Sequence, residues 1–244
     1  MNGGGTFDAA ATQTVAALSV NAGGTAVVSA GTLKVGTNSS PTPLAINGGK
    51  VDVKNRALVV DHAAGSETAA IQSVRSQIAA GYHGGDWQGN GIVTSDPSAS
   101  KAVGYAQASE IVGAGGGTFM GQSVDGSAVL VRSTIAGDAN LSGNVDFTDL
   151  VALAQNYGAD FVANPTTESW WTHGDFTYDG KVDFTDLVKL AQNYGSALPG
   201  EAIVGAPIGF ESDLAAAFAS VPEPSVVGLA AMMALGALSR RRGR

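Results

Sequence analysis

The stretch GDANLSGNVDFTDLVALAQNYG at 137–158 returns as GDFTYDGKVDFTDLVKLAQNYG at 174–195. Each copy opens with acidic and amide residues at alternating positions around a fixed glycine, which is how a chain wraps a hard cation in oxygen ligands. With Asp138 as loop position 1, oxygen-bearing side chains fall at positions 3, 5, 9 and 12 as Asn140, Ser142, Asp146 and Asp149. Gly143 holds position 6, where the chain must turn sharply, and Asn144 at position 7 offers its backbone carbonyl. The second copy runs Asp175, Thr177, Asp179, Gly180, Lys181 (through its carbonyl), Asp183 and Asp186. The spacing predicts two calcium sites. Ser142 and Thr177 each place an uncharged hydroxyl where an aspartate or asparagine is usual, so both sites are expected to be weaker than a full carboxylate set. The second loop has four carboxylates against three in the first and is expected to bind more tightly. The same turns also suit two helix caps, with Asp146 or Asp183 as the N-cap. Agreement of two copies at nearly every ligand position favours the metal.

Behind the first loop, Phe147, Leu150, Val151 and Ala154 recur at helical spacing, as do Leu153 and Tyr157, and Gly158 sits where a helix would stop. Phe184, Leu187, Val188, Leu190, Ala191, Tyr194 and Gly195 repeat the pattern. What precedes Asp138 is Val129, Leu130, Val131 and Ile135, which reads as strand. Each unit is therefore a loop and one helix. A unit of that kind cannot bury its apolar face alone, so the two are expected to pack in a near two-fold pair.

A duplicated calcium loop and helix with aspartate at position 12 closely resembles the type I dockerin domain, here over 137–196. Dockerins are non-catalytic modules that bind cohesin domains on a scaffold protein. The resemblance implies a cohesin-like partner contacting Phe147, Thr148, Ala154 and Gln155 in the first copy and Phe184, Thr185, Ala191 and Gln192 in the second. Cellulosomal dockerins usually carry small hydroxyl and then basic or polar residues there; phenylalanine and alanine hold half of these places here. A second reading makes Phe147 and Phe184 core residues and the module a calcium-stapled spacer. Trp170 and Trp171, in the connector between the copies, are expected to cover the helix pair.

At the C-terminus, Val221, Pro222, Glu223 and Pro224 precede an apolar run from Val226 to Leu238 and then Arg240, Arg241, Arg242 and Arg244. The run is shorter than the roughly 20 residues of a comfortable membrane span. This order resembles the PEP-CTERM sorting signal over 221–244. The resemblance implies recognition by an exosortase-type enzyme, transient inner-membrane association with the arginines on the cytoplasmic side, and delivery to the surface or exterior of a Gram-negative cell. The competing reading is a buried C-terminal helix with a charged end.

Composition agrees with export. The chain has 34 glycines, 14% charged residues and no cysteine, which excludes disulfides and thiolate metal sites. Its net charge of −8 becomes four more negative without the tail arginines, a surface that repels nucleic acid and suits calcium. The start at Met1 lacks the basic and apolar regions of an export signal. The chain is expected to be the C-terminal portion of a longer protein, or to have a misassigned start.

Residues 1–62 hold short apolar runs at 18–20, 26–28, 33–35, 44–46, 51–53 and 58–60, separated by glycines. Such runs suit rungs of a β-solenoid, with a sandwich as the alternative. They weakly resemble autotransporter-associated β-strand repeats. The fold class is therefore multidomain, mainly β at the N-terminus with one or two helices, followed by a small all-α loop-helix pair and a C-terminal hydrophobic helix.

Residues 63–136 read as a mixed helix and strand cap, with a helix over Glu67 to Ala80, a second over Lys101 to Ile111, and strands from Gln122 to Ile135. Residues 197–220 read as a linker with a short helix. In the glycine-rich loop after the first helix, Tyr82 and Trp87 would stack on a sugar while Asp86 and Asn90 bind its hydroxyls; a turn pinned by one tryptophan is the plainer account. The histidines His62, His83 and His173 lack metal spacing, and no nucleophile motif accompanies the pair His83 and Asp86. Outside the calcium loops, acids for a glycosidase cleft are sparse. The sequence reads as non-enzymatic, with any carbohydrate-related activity expected upstream.

Overall fold

The computed structural model describes residues 4–95, 101–164 and 168–194, together with Ser212, Asp213, Ala216, Ala217 and Ala219. The motif at 221–224 and the arginines at 240–242 lie outside these residues. Among the described residues no helix is long and apolar enough to cross a membrane.

The described chain is mainly β, with four α-helices. Eight strands come first: β1 (Thr6–Ala9), β2 (Gln13–Val15), β3 (Leu18–Asn21), β4 (Thr25–Val28), β5 (Thr32–Gly36), β6 (Leu44–Asn47), β7 (Lys50–Asp52) and β8 (Ala57–Asp61). Each pairs in parallel with the strand three places along the chain. Thus β1, β4 and β7 form one stack, β2, β5 and β8 a second, and β3 and β6 a third. Successive circuits visit three sheets in turn, and Ala9, Val20, Val28, Leu33, Val35, Val51 and Leu58 are buried between them. Strands of three to five residues suffice because each has a parallel neighbour to complete its hydrogen bonds. The predicted runs fall on β3 to β8. β1 and β2, the first two strands of the first circuit, are not marked by hydrophobic alternation.

In the third circuit a helix replaces the strand. α1 (Glu67–Tyr82) buries Ile71, Val74 and Ile78, and its Gln77 Nε2 donates to the Ile46 carbonyl of β6 at 3.3 Å. The chain then returns to the first stack as β9 (Gly91–Val93), parallel to β7. Next come β10 (Lys101–Gln107), α2 (Ala108–Ile111), the hairpin β11 (Gly117–Phe119) and β12 (Gln122–Val124), and β13 (Val129–Ile135). β13 runs antiparallel to β8 and β10 antiparallel to β13, so the second stack grows into a mixed five-stranded sheet with β10 at its edge.

The helix expected over Lys101 to Ile111 is corrected here: 101–107 is strand and only 108–111 is helical. Ala102, Val103, Tyr105 and Ala106 are all buried, and pairing with β13 along seven residues outweighs a weak helical pattern. α3 (Phe147–Asn156) and α4 (Phe184–Asn193) complete the described elements, apart from two short 3-10 turns. Of 197–220, Ser212, Asp213, Ala216, Ala217 and Ala219 are helical; Ala217 is buried and Tyr157 donates its hydroxyl to Asp213 at 2.9 Å.

Candidate metal centre

β13 delivers the chain directly into the first loop. Asp138 is fully buried at its mouth: Oδ1 accepts from Ser142 N (2.9 Å), and Oδ2 from Gly143 N (2.8 Å) and the Thr134 hydroxyl. Asp149, in the first turn of α3 and equally buried, accepts on Oδ1 from Ala139 N (2.9 Å) and Asn140 N (3.2 Å), and on Oδ2 from Asp146 N (2.8 Å). Asp146 caps α3 by accepting from Thr148 N at 2.8 Å. Asn140 Oδ1 accepts from Ser142 N at 2.9 Å, and Ser142 Oγ from Asn144 N at 3.3 Å.

The second loop repeats the pattern. Asp186 accepts from Phe176 N (2.8 Å), Thr177 N (2.9 Å) and Asp183 N (3.0 Å), and Asp183 caps α4 through Thr185 N (2.8 Å). Asp175 Oδ2 accepts from Gly180 N at 3.0 Å, and Asp179 from Lys181 N at 2.9 Å. Gly143 and Gly180 have φ of 89° and 84°, the left-handed turn for which position 6 needs glycine.

The two units pack reciprocally. A Cβ on Gly137 would stand 2.9 Å from the Cα of Leu190 in α4, and one on Gly174 would stand 2.9 Å from the Cα of Leu153 in α3. The glycine before each loop is thus the seat for the other unit's helix, the near two-fold pair expected from the repeat. Capping and loop hydrogen bonding coexist, so the cap reading of Asp146 and Asp183 holds without displacing the loop geometry.

Burial sets the electrostatics, offset at Asp138 by the charge of Arg132. Desolvation holds Asp138 above the ordinary carboxylate range and raises Asp149 to about 6. It lifts Asp186 to about 6, and Asp175, pressed also by the charge of Asp186, to about 8. Asp175 is 1% exposed, yet its Oδ1 has no well-formed hydrogen bond, although the Tyr178 N–H stands near enough to the carboxylate to favour its charged form. Thr177 Oγ1, at position 3, also lacks a well-formed hydrogen bond, although it stands near enough to Asp186 to favour that carboxylate's charged form. A carboxylate oxygen without a well-formed hydrogen bond, in a loop whose amides cradle its twin, suits an oxygen-seeking cation. Among the described residues no three His, Cys, Asp or Glu side chains already converge as a ligand cluster. Asp146 and Asp183 point at helix N-termini, so amide, hydroxyl and carbonyl oxygens at Asn140, Ser142, Asn144, Thr177 and Lys181 would have to contribute.

Phe147 and Phe184 are 44% and 40% exposed, so the core reading of these rings does not hold. Thr148, Gln155, Thr185 and Gln192 are exposed beside them. Ala154 and Ala191 are buried on the inner helix faces, which corrects their assignment as partner contacts: nothing outside the fold reaches them.

The module is soldered to the β-body. Trp171, fully buried, donates from Nε1 to the Asp138 carbonyl at 2.7 Å and stacks on Tyr178 at 5.5 Å. The Tyr178 hydroxyl both accepts from Val103 N and donates to Val103 O, each at 3.1 Å, on the free edge of β10. Trp170 stacks on Phe161 at 5.5 Å and lies under the Arg75 guanidinium of α1, 3.3 Å from its ring centre. Trp87 is 3% exposed and meets Tyr82 at 5.2 Å and Tyr178 at 5.8 Å, so it is a packing residue and not a sugar platform. His83 does meet Asp86, at 3.1 Å, but as an exposed pair without a cleft. His62 is buried against the carbonyls of Ala63 and Ser127, and His173 bonds Ser169 O at 2.7 Å, so the three histidines stay apart. The sequence reading missed Tyr178, at loop position 4, and Arg132, six residues before the first loop.

No family model, curated protein or solved structure matches this chain.

Proposed function

We propose that this chain is a non-enzymatic, calcium-stabilised protein of the cell surface or extracellular space. In this reading the three-sheet circuits are rungs of a β-solenoid-like stalk, the paired loops form a dockerin-like clamp at its end, and 221–244 is a sorting tail for an exosortase-type system. The observation that carries it is the buried Asp175 carboxylate with one oxygen lacking a well-formed hydrogen bond, inside a loop whose hydrogen bonds recur in the first copy. Asp138, Asn140, Ser142, Asn144 and Asp149 would hold one ion; Asp175, Thr177, Asp179, Lys181 through its carbonyl, and Asp186 the other; Asp146 and Asp183 would join through water or by turning from their caps. Bound calcium supplies positive charge among these buried carboxylates, and its binding free energy adds to that of folding.

Calorimetric titration of the full chain, with thermal melting in calcium and in chelator, tests the reading. Uptake with a melting point raised by about 5–15 °C is expected, as binding at 100–1,000 times Kd contributes about 3–4 kcal/mol. No uptake at millimolar calcium refutes it. A docking role toward a cohesin-like partner is the second reading, and the exposed Phe147 and Phe184 favour it.

A further inference from the structure

The two loops differ in one respect that ligand counting does not reveal. Arg132, on β13, donates from Nη1 to the Leu141 carbonyl at loop position 4, and its Nη2 lies 2.7 Å from where a Cβ on Gly143 would stand. Its charge acts on Asp138, against the effect of that carboxylate's burial. The guanidinium therefore lies along the first loop between positions 4 and 6, near enough for its charge to act on Asp138, with neither of the position 1 and 3 oxygens spent on it. The corresponding place before the second loop, six residues ahead of Asp175, is Ser169, whose hydroxyl accepts from Gln107 N at 2.8 Å. Position 4 there is Tyr178, tied to Val103 by a neutral hydroxyl. Lys181, the cation within the second loop, reaches toward Asp160 at 4.0 Å.

We propose that Arg132 is a built-in counter-cation of the first loop: it holds that loop in shape without metal and lowers its affinity for calcium, leaving the second loop as the tight, metal-dependent site. This rests on the calcium reading above. The first loop has three carboxylates and one guanidinium and comes close to neutral with one divalent ion; the second has four carboxylates and remains anionic even when filled. Like charges repel, so a fixed guanidinium beside the site opposes the incoming ion, and at about 6 Å with the screening of bulk water the effect on affinity is about tenfold. An arginine at this place exchanges affinity for order.

The test is calcium titration of the full chain as wild type, R132Q and R132K, each also melted in chelator. The wild type is expected to show a tight and a weak step. R132Q should tighten the weak step about tenfold, leave the tight step unmoved, and melt lower in chelator than the wild type. R132K, which keeps the charge, should leave the weak step within about twofold of wild type. A weak step that R132Q leaves unchanged or weakens overturns the proposal, as does an equal shift in both variants, which would mark Arg132 as a steric brace. Should R132Q fail to fold, R132K decides: a tightened weak step in a chain that keeps the charge refutes the electrostatic role, and an unmoved one supports it. Calcium uptake by no variant refutes the metal reading itself, a result distinct from uptake with an unmoved weak step.

Discussion

Tyr178→Phe removes one oxygen atom and keeps the ring, so the stack on Trp171 and the contacts with Tyr82 at 4.8 Å and Trp87 at 5.8 Å survive. What is lost is the double bond to Val103, whose N–H and C=O face away from β13 on the sheet edge and whose residue is fully buried. A buried backbone group left without a partner costs about 1–3 kcal/mol, and two are orphaned, so the variant should lose roughly 2–6 kcal/mol. In a chain of this length that lowers the melting point by roughly 5–25 °C. Circular dichroism melts of the full chain, in saturating calcium and in chelator, measure it. Because the bond joins the second loop to the β-body whether or not metal is present, the loss should appear in both conditions. A midpoint equal to the wild type in both would refute the argument that this loop and β10 form one cooperative structure.

Raised carboxylates give a pH dependence with a definite sign. In metal-free protein Asp175 titrates near 8 and Asp149 and Asp186 near 6, against 3.8 for a free aspartate, so the folded chain keeps protons that the unfolded chain has released. Their stabilising contribution is full below about pH 4 and is lost as pH rises toward 8, on the order of a few kcal/mol, and saturating calcium should flatten the decline; urea unfolding across pH 5–8 with chelator checks this, and stability rising with pH through that window would contradict it. Gly104→Ala places a Cβ 2.4 Å from Leu141 Cδ2 and 2.7 Å from Trp171 Nε1, so about 1–3 kcal/mol should be lost in urea titration. Phe147→Ala with Phe184→Ala should cost about 1–2 kcal/mol in total, since both rings are only partly covered, and a thermal melt that collapses instead would return them to the core.

The duplicated loops, their turn glycines, the helices behind them and the short strands of the circuits were legible along the chain, because each is set by residues within a few positions of one another. Spacing alone places oxygens on a turn and apolar residues on a helix face. Partnership across the chain is another matter. Whether 101–107 became strand or helix depended on β13, which follows only after α2 and a hairpin, and the choice between stacked circuits and a sandwich depended on parallel register. Sequence periodicity could not tell that Trp87 would be buried by Tyr178, that Ala154 and Ala191 would face inward while Phe147 and Phe184 faced out, or that Arg132 would lie along a loop it precedes. Local order along the chain was enough to say which segments carry oxygen-rich turns and which form most of the strands and helices. Which of those groups lose their water, and which charge stands beside them, waited on the folded arrangement, since burial and Coulomb interaction depend on neighbours brought from elsewhere in the chain.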